Sequence, residues 1–271
     1  MANPDTVLLR HRGATFDEEV LGRVLAASTD LKAEIVIEPD ATRRLDTLRH
    51  EYRRSGAIGL LDSLAYRVFY RLRLKEKETQ KLDALVDEFV EQYADPSVPK
   101  YRVQDPNGDE MTAILADLEP EMMVARCKVL LSEAVFSSPT HGTFVIHPGI
   151  CPEYRNQHGC FWALANGDDD RVGYSLIRID EGIDTGDILA QDGTTFDPCN
   201  DEHAYIQQKV VADNVEEIVG TLDAVAEGEV EPIETRGRNS ALWGMPKLSA
   251  WTTWKRRVRR FEIDQWNSSN Q

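Results

Sequence analysis

Short apolar segments that alternate with helical patterns constrain the fold of this chain more than any other feature. Residues 6–10 and 33–37 are apolar and contain β-branched side chains, as expected for buried strands. Between them, residues 16–27 carry apolar side chains at helical spacing, namely Val20, Leu21, Val24 and Leu25. Strands separated by a helix are typical of parallel βαβ units, so the sequence predicts an α/β fold.

Two segments stand apart from this alternation. Residues 41–93 are helical in pattern and highly charged, and we interpret them as a helical insertion. Its basic residues are expected to form a solvated face, namely Arg43, Arg44, Arg49, Arg53 and Arg54. Residues 229–271 turn polar and end in an aromatic and basic tail. The sequence therefore predicts a main domain over residues 1–228 and a short C-terminal extension over residues 229–271. Further strands are expected at residues 100–104, 122–125, 143–147, 173–179 and 188–191, and one long helix over residues 202–227.

The charge balance excludes some classes of partner. The chain has 271 residues, with 31 Lys and Arg against 47 Asp and Glu, which gives a formal net charge of −16. Nucleic-acid binding needs clustered cationic charge, so we expect a small-molecule site instead. No apolar run approaches the length of a membrane span, and we expect a cytoplasmic protein. The spacing of Cys127, Cys151, Cys160 and Cys199 fits no metal motif, so we expect thiols and no metal site.

The side chains that suggest chemistry lie in residues 144–191. His147 follows an apolar strand and precedes a turn formed by Pro148 and Gly149. Ligands bind at the carboxyl ends of strands in an open parallel sheet, so this imidazole is well placed for general acid or base catalysis. Asp184 lies 37 positions later in a glycine-rich loop. A carboxylate beside His147 would hold its tautomer and stabilise the imidazolium.

The order and spacing of the motifs in this stretch resemble the formyltransferase family, which includes methionyl-tRNA formyltransferase, glycinamide ribonucleotide transformylase and the sugar N-formyltransferases. Those enzymes share a His-Pro-Gly or His-Pro-Ser turn, a Gly-x-Thr strand and a Gly-x-Asp-x-Gly-Asp loop. The matching residues here are His147, Pro148, Gly149, Pro152, Tyr154, Arg155, Trp162, Gly167, Asp168, Gly173, Ser175, Gly182, Asp184, Gly186 and Asp187. The resemblance implies a doubly wound, mostly parallel sheet.

The same resemblance implies a co-substrate and roles for individual residues. It implies 10-formyltetrahydrofolate as the donor of a one-carbon unit, with His147 and Asp184 serving its transfer to an amine. The pterin slot of the family corresponds here to two segments. Their residues are Cys127, Lys128, Val129, Leu130 and Leu131 in the first, and Ile179, Asp180, Glu181, Gly182 and Ile183 in the second.

One position departs from the family pattern at the predicted centre of reaction. The family has an asparagine two residues before the histidine, and this chain has Val145. Residues 145 and 147 of a strand share one face, but a valine side chain cannot donate a hydrogen bond. The missing amide would stabilise a developing oxyanion, a contribution worth about 10²–10³ in rate. Asn156 or His158, in the loop that follows, could supply the lost donor, and an Asn in a turn could equally satisfy only its own backbone.

Three functions are compatible with these residues. The first is transfer of a formyl group from 10-formyltetrahydrofolate to a primary amine of a small molecule, such as an amino-sugar or a specialised metabolite. The second is hydrolysis of the formyl group on the same scaffold. The third is a folate-binding protein with reduced or lost catalysis, which Val145 favours and the retention of His147 and Asp184 opposes. Transfer RNA is a poor acceptor for so acidic a chain, and the sequence leaves open whether a homodimer forms.

Overall fold

Seven strands form one sheet in a computed structural model that describes residues 3–13, 15–38 and 41–269, without the side chains of 41–46 and 264–269. The sheet order is β3-β2-β1-β4-β5-β7-β8, and the first five strands are parallel while β7 and β8 are antiparallel to their neighbours. These strands are β1 (Asp5–His11), β2 (Asp30–Ile37), β3 (Lys100–Val103), β4 (Met122–Arg126), β5 (Gly142–His147), β7 (Gly173–Arg178) and β8 (Ile188–Gly193). The prediction of a mostly parallel α/β sheet is confirmed.

Two short strands form a separate pair beside this sheet. They are β6 (Arg155–Asn156) and β9 (Leu242–Trp243), which run parallel to each other. The pair attaches the C-terminal region to the loop that follows His147.

Helices cover both faces of the main sheet. They are α1 (Gly22–Ser28, after a π-helical turn at Asp17–Leu21), α2 (Ala41–Arg73), α3 (Lys75–Gln92), α4 (Asp109–Leu118), α5 (Glu133–Phe136), α6 (Gly159–Asn166), α7 (His203–Asp213), α8 (Val215–Glu227) and α9 (Leu248–Ser269). A 3-10 turn at Asp169–Arg171 follows α6. On one face Leu8, Val124 and Phe144 pack into a large core with α1 and α6 to α9. On the other face Val7 and Met123 pack with α4 and α5.

The strand order reverses between β1 and β4, which places a crevice above their carboxyl ends. The chain leads from β1 to β2 on one side of this crevice and from β4 to β5 on the other side. Ligands of open α/β sheets bind at such a switch point. His11, Arg126 and His147 end the three strands around it.

The single long helix expected over residues 202–227 is wrong, because α7 and α8 are separate helices that meet at Asn214. The Asn214 side-chain amide donates to the carbonyl oxygens of Val210 at 2.8 Å and Gly193 at 3.0 Å. An asparagine that bonds the backbone in this way competes with the regular helical pattern.

The insertion packs on the domain as two helices, α2 and α3. Gly56 interrupts α2 with a φ of 69°, a conformation that suits glycine. Tyr66 and Val86 are buried in the large core, while Arg49, Arg53 and Arg54 are exposed, as a solvated face requires. The side chains of the other two basic residues assigned to that face, Arg43 and Arg44, lie outside the described residues. In the described part of the chain, no helix has the length and apolar character needed to span a membrane.

The last helix, α9, also contributes to the large core. Trp254 is fully buried there and Val258 nearly so, whereas Phe261 on the same helix is 63% exposed. The aromatic and basic tail therefore packs on the sheet-bearing part of the chain through one face and presents its other face to solvent.

Trp254→Ala is expected to lower the free energy of unfolding by about 3–5 kcal/mol, the cost of removing a buried aromatic side chain. Chemical denaturation of the full chain measures this loss. Phe261→Ala on the same helix is the matched control, with an expected change within about 0.5 kcal/mol. Equal effects of the two substitutions would contradict the burial of Trp254.

Candidate functional site

His147 ends β5 at the crevice and is buried. The neighbouring strand residues Phe144 and Ile146 pack in the large core, so Val145 and His147 point to the opposite face. The Nε2 atom of His147 lies 2.8 Å from the carbonyl oxygen of Tyr154. The turn after His147 is held by Ser175, whose hydroxyl donates to the Gly149 carbonyl at 2.7 Å.

Asp184 lies beside His147, although the two are distant in sequence. Their closest atoms, Nδ1 and Oδ2, are 3.6 Å apart, and only 15% of the Asp184 side chain is exposed. The backbone N–H of Asn156 donates to the same Oδ2 at 2.7 Å. Asp184 adopts a φ of 49°, which turns its side chain in the tight Gly-Ile-Asp-Thr-Gly loop. The backbone of the loop after β5 thus fixes the carboxylate that faces His147.

The charge state of His147 follows from this arrangement. Burial by itself would lower the pKa of His147, but the Asp184 carboxylate, together with the Cys151 sulfur and the Tyr154 carbonyl that hydrogen-bond the ring, raises the pKa to about 10. At neutral pH the ring is therefore an imidazolium. The sequence predicts acid or base catalysis by His147, which stays a prediction, and the imidazolium is the form that serves as an acid.

Sequence reasoning treated Cys151 as one of several thiols without a special role. The structure buries it completely beside His147, in a small apolar cluster with Ile177 and Ile188 onto which Val145 packs. All four cysteines lie in the described residues as thiols, with Cys160 also buried and Cys199 exposed. A contact between residues 147 and 151 across a proline-containing turn leaves no pattern in the sequence.

Asn156 and His158 occupy different surroundings. The Asn156 side-chain amide donates to the Trp243 carbonyl at 2.6 Å, so it ties the loop to β9. His158 precedes α6, and its ring lies 5.6 Å from that of His203 on α7. Burial lowers the pKa of His158 well below its usual range, and the charges of His203 and Lys128 add to this. The replacement of the lost oxyanion donor by either residue stays a prediction, and the contact to Asp184 gives Asn156 a positioning role.

Two glycines hold the turn after His147 directly against the start of α6. A Cβ atom built on Gly159 would lie 2.6 Å from the Gly149 Cα, and one on Gly149 would lie 2.7 Å from the His147 Nε2. Neither position has room for a side chain, because backbone atoms lie within 3.0 Å of both built Cβ atoms and cannot move aside as a flexible side chain could. The turn that carries His147 and the helix start that follows His158 are in contact through these two residues.

The two segments implied as a pterin slot meet on the face of the sheet that lies away from the large core. Cys127, Leu131 and Ile179 pack on the same small core as Val135. Leu130 is 58% exposed. The loop of the second segment is closed by Asp180, which accepts hydrogen bonds from the Gly182 N–H at 2.9 Å and the Thr185 hydroxyl at 2.7 Å. Among the described residues, no group of three or more His, Cys, Asp or Glu side chains is arranged to hold a metal ion.

Comparison with known proteins places this chain in a family. Residues 74–222, more than half of the chain, match the family described as Formyl transferase. The chain is similar to methionyl-tRNA formyltransferase of Marinobacter nauticus, with 27% identity over 62% of this chain and 54% of that protein. Its likeness to methionyl-tRNA formyltransferase of Corynebacterium aurimucosum is 31% identity over 57% of this chain and 46% of that protein. The chain belongs to the formyl transferase family.

Solved structures share the fold. A sugar N-formyltransferase from Shewanella sp. superposes with a TM-score of 0.52 and 13% identity over 89% of this chain and 77% of that one. Phosphoribosylglycinamide formyltransferase from Anaplasma phagocytophilum gives a TM-score of 0.53 and 14% identity over 89% of this chain and 98% of that one. The matched segments span about half of the curated relatives named above. They span 16% of the human mitochondrial 10-formyltetrahydrofolate dehydrogenase, which is 26% identical over 55% of this chain.

Proposed function

We propose that this chain transfers a formyl group from 10-formyltetrahydrofolate to a primary amine of a small molecule. The observation that carries the proposal is the pair formed by His147 at the end of β5 and Asp184 in the loop before β8, with Nδ1 and Oδ2 3.6 Å apart. Membership of the formyl transferase family supports it. When bound, 10-formyltetrahydrofolate supplies the one-carbon unit.

The residues of the implied slot fit a flat heteroaromatic ring. Leu130 presents apolar surface at the crevice, with Val129 and Ile179 half-buried near it. The second segment is held in shape by the hydrogen bonds that Asp180 accepts. We assign residues 127–131 and 179–183 to the pterin-binding surface on this basis.

His147 provides positive charge at the reaction centre. Its imidazolium is oriented by the Tyr154 carbonyl at Nε2 and by Asp184 at Nδ1. Negative charge that develops on a formyl oxygen is stabilised by a fixed cation in a buried site, where the interaction is stronger than in water. Asp184 keeps the proton on the ring, and Asn156 keeps Asp184 in place through its backbone N–H.

Val145 is the residue that favours the two other functions, formyl hydrolysis and folate binding without catalysis. It packs on the apolar cluster of Cys151, Ile177 and Ile188 and offers no hydrogen-bond donor at the place where the family has an amide. Formyl hydrolysis on the same scaffold, or folate binding without turnover, would tolerate this loss. The retained ion pair of His147 and Asp184 favours transfer over simple binding, since binding alone needs neither side chain.

Reduced folate is expected to raise the Tm of the protein, because a ligand that binds only the native state stabilises it by mass action. Thermal unfolding with millimolar 5-formyltetrahydrofolate measures the shift. A screen of small amines with 10-formyltetrahydrofolate then tests transfer by the mass gain of one formyl group. Formate release without any amine would show a hydrolase, and an unchanged Tm would overturn the folate donor.

A further inference from the structure

The C-terminal extension reaches back to the loop that follows His147. Residues 238–243 of the extension run along this loop. The backbone N–H of Ala241 donates to the Pro152 carbonyl at 3.1 Å, and the Ala241 carbonyl accepts from the Arg155 N–H at 3.1 Å. Strands β6 and β9 continue the same contact. The backbone of the loop is therefore held from outside the main sheet.

Arg238 of the extension joins this loop to β8. Its Nε and Nη2 atoms donate to the two carboxylate oxygens of Glu153 at 3.0 and 2.6 Å, and its Nη1 atom donates to the Gln191 Oε1 at 3.0 Å. Arg171 pairs with the same carboxylate, and only 11% of the Glu153 side chain is exposed. A planar guanidinium can make these three bonds at once. Arg238 therefore fixes Glu153 and Gln191 relative to each other.

Gln191 extends the connection from Arg238 to the turn after His147. The Gln191 Nε2 atom donates to the Cys151 carbonyl at 2.6 Å and to the Ser175 hydroxyl oxygen at 2.7 Å. That oxygen also accepts from the Cys151 N–H at 3.0 Å, and the hydroxyl donates to the carbonyl of Gly149. Cys151 and Ser175 are completely buried, so loss of a partner would leave polar groups unsatisfied.

The residues held in this way include the ones that contact the His147 ring. The Nε2 atom of His147 lies 2.8 Å from the Tyr154 carbonyl oxygen, and Tyr154 comes directly after Glu153. The Cys151 sulfur hydrogen-bonds the same ring, and the Cys151 backbone is the part that Gln191 holds. Movement of Glu153 or Gln191 would therefore displace the groups against which the ring rests.

We propose that Arg238 is a positioning residue for the reaction, which holds His147 in place through Glu153 and Gln191. This inference rests on the proposed function and deepens it, because the C-terminal extension becomes part of the support of the reaction centre. A displacement of a reacting group by about 1 Å can cost about 10² in rate. A residue that acts through the loop can thus control turnover without contact to the substrate.

Arg238→Lys keeps the positive charge but loses the planar group that bonds Glu153 and Gln191 together. We expect kcat for formyl transfer to fall by about tenfold, while KM for 10-formyltetrahydrofolate stays unchanged because no substrate contact is lost. Arg236→Lys is the matched control, since Arg236 is exposed two residues away in the same segment, and both constants should equal those of the parent. An unchanged kcat in Arg238→Lys, or an equal fall in the two variants, would overturn the proposal.

Gln191→Leu tests the link between Arg238 and the turn without a change of charge. It should lower kcat at least as much as Arg238→Lys, because it removes the bonds to Cys151 and Ser175 directly. The double variant should be no slower than Gln191→Leu alone, since substitutions in one network are not additive. Losses that multiply in the double variant would show that the two residues act independently and would contradict the proposed route.

The titration of His147, followed by NMR, reports on the ring without any turnover. Gln191→Leu and Arg238→Lys should each lower the pKa of His147, because the contacts with Cys151 and Tyr154 raise it, and Arg236→Lys should leave it unchanged. If these shifts appear but the parent transfers no formyl group, the proposed function fails and the positioning of His147 by Arg238 stands. An unchanged titration of His147 in both variants would overturn the inference.

Discussion

His147→Ala and Asp184→Asn are each expected to lower the rate of formyl transfer by about 10³-fold while the fold stays intact. The first removes the cation at the reaction centre, and loss of such a group typically costs about 10²–10⁴ in rate. The second keeps the shape of residue 184 but removes the charge that lies 3.6 Å from the His147 ring. Steady-state loss of formyl from the donor, with and without amine, measures both effects.

Asp187→Asn is the matched control for this experiment. Asp187 is exposed in the same loop as Asp184 and carries the same charge, so its substitution tests the general effect of one negative charge less. We expect its turnover to equal that of the parent. Circular dichroism and unfolding curves establish that each variant folds. Turnover of His147→Ala or Asp184→Asn near that of the parent would refute their assignment as the reacting pair.

Asp184→Asn is expected to lower the pKa of His147 by a large amount. In the parent the pKa of about 10 keeps the ring charged through neutral pH. Without the carboxylate, burial is opposed only by the contacts of the ring with Cys151 and Tyr154, so the pKa of His147 should fall. The imidazole C–H resonances of His147 in NMR spectra report this titration directly.

The same shift predicts how stability depends on pH. Because folding raises the pKa of His147 from 6.5 to about 10, its stabilising contribution is fully present below pH 6.5 and is lost as the pH rises through 10. The difference in unfolding free energy between the parent and Asp184→Asn should therefore shrink between pH 6.5 and pH 10. For Asp187→Asn, the difference in unfolding free energy from the parent should stay constant over the same pH range. A constant difference for Asp184→Asn across this range would show that the ring is not held as an imidazolium.

The local patterns of the sequence were sufficient to predict most strands. The segments expected at residues 6–10, 122–125 and 143–147 are strands of the sheet, extended by one or two residues. Strand periodicity and β-branched content are local properties, so the sequence carries them. The break at Asn214 was missed because an apolar stripe continues across it, while the hydrogen bond to Gly193 depends on a partner outside the helix.

The site was less accessible to sequence reasoning than the fold. Spacing alone cannot show that the Tyr66 hydroxyl from the insertion lies 2.9 Å from His203 Nδ1, because that contact depends on how α2 packs against α7. Nor does it show that the Asn156 amide is already used by Trp243. Each of these contacts joins segments that are distant in sequence and have no common motif.

The contact between Gly149 and Gly159 has a consequence for protein engineering. Since neither residue can accept a side chain, the catalytic turn and the first turn of α6 cannot be redesigned independently, and random libraries there would yield mostly inactive proteins. Exposed side chains of α2, such as Arg67 and Arg71, carry no such restraint. Directed evolution toward new amine substrates should therefore begin on the insertion and leave the glycine junction untouched.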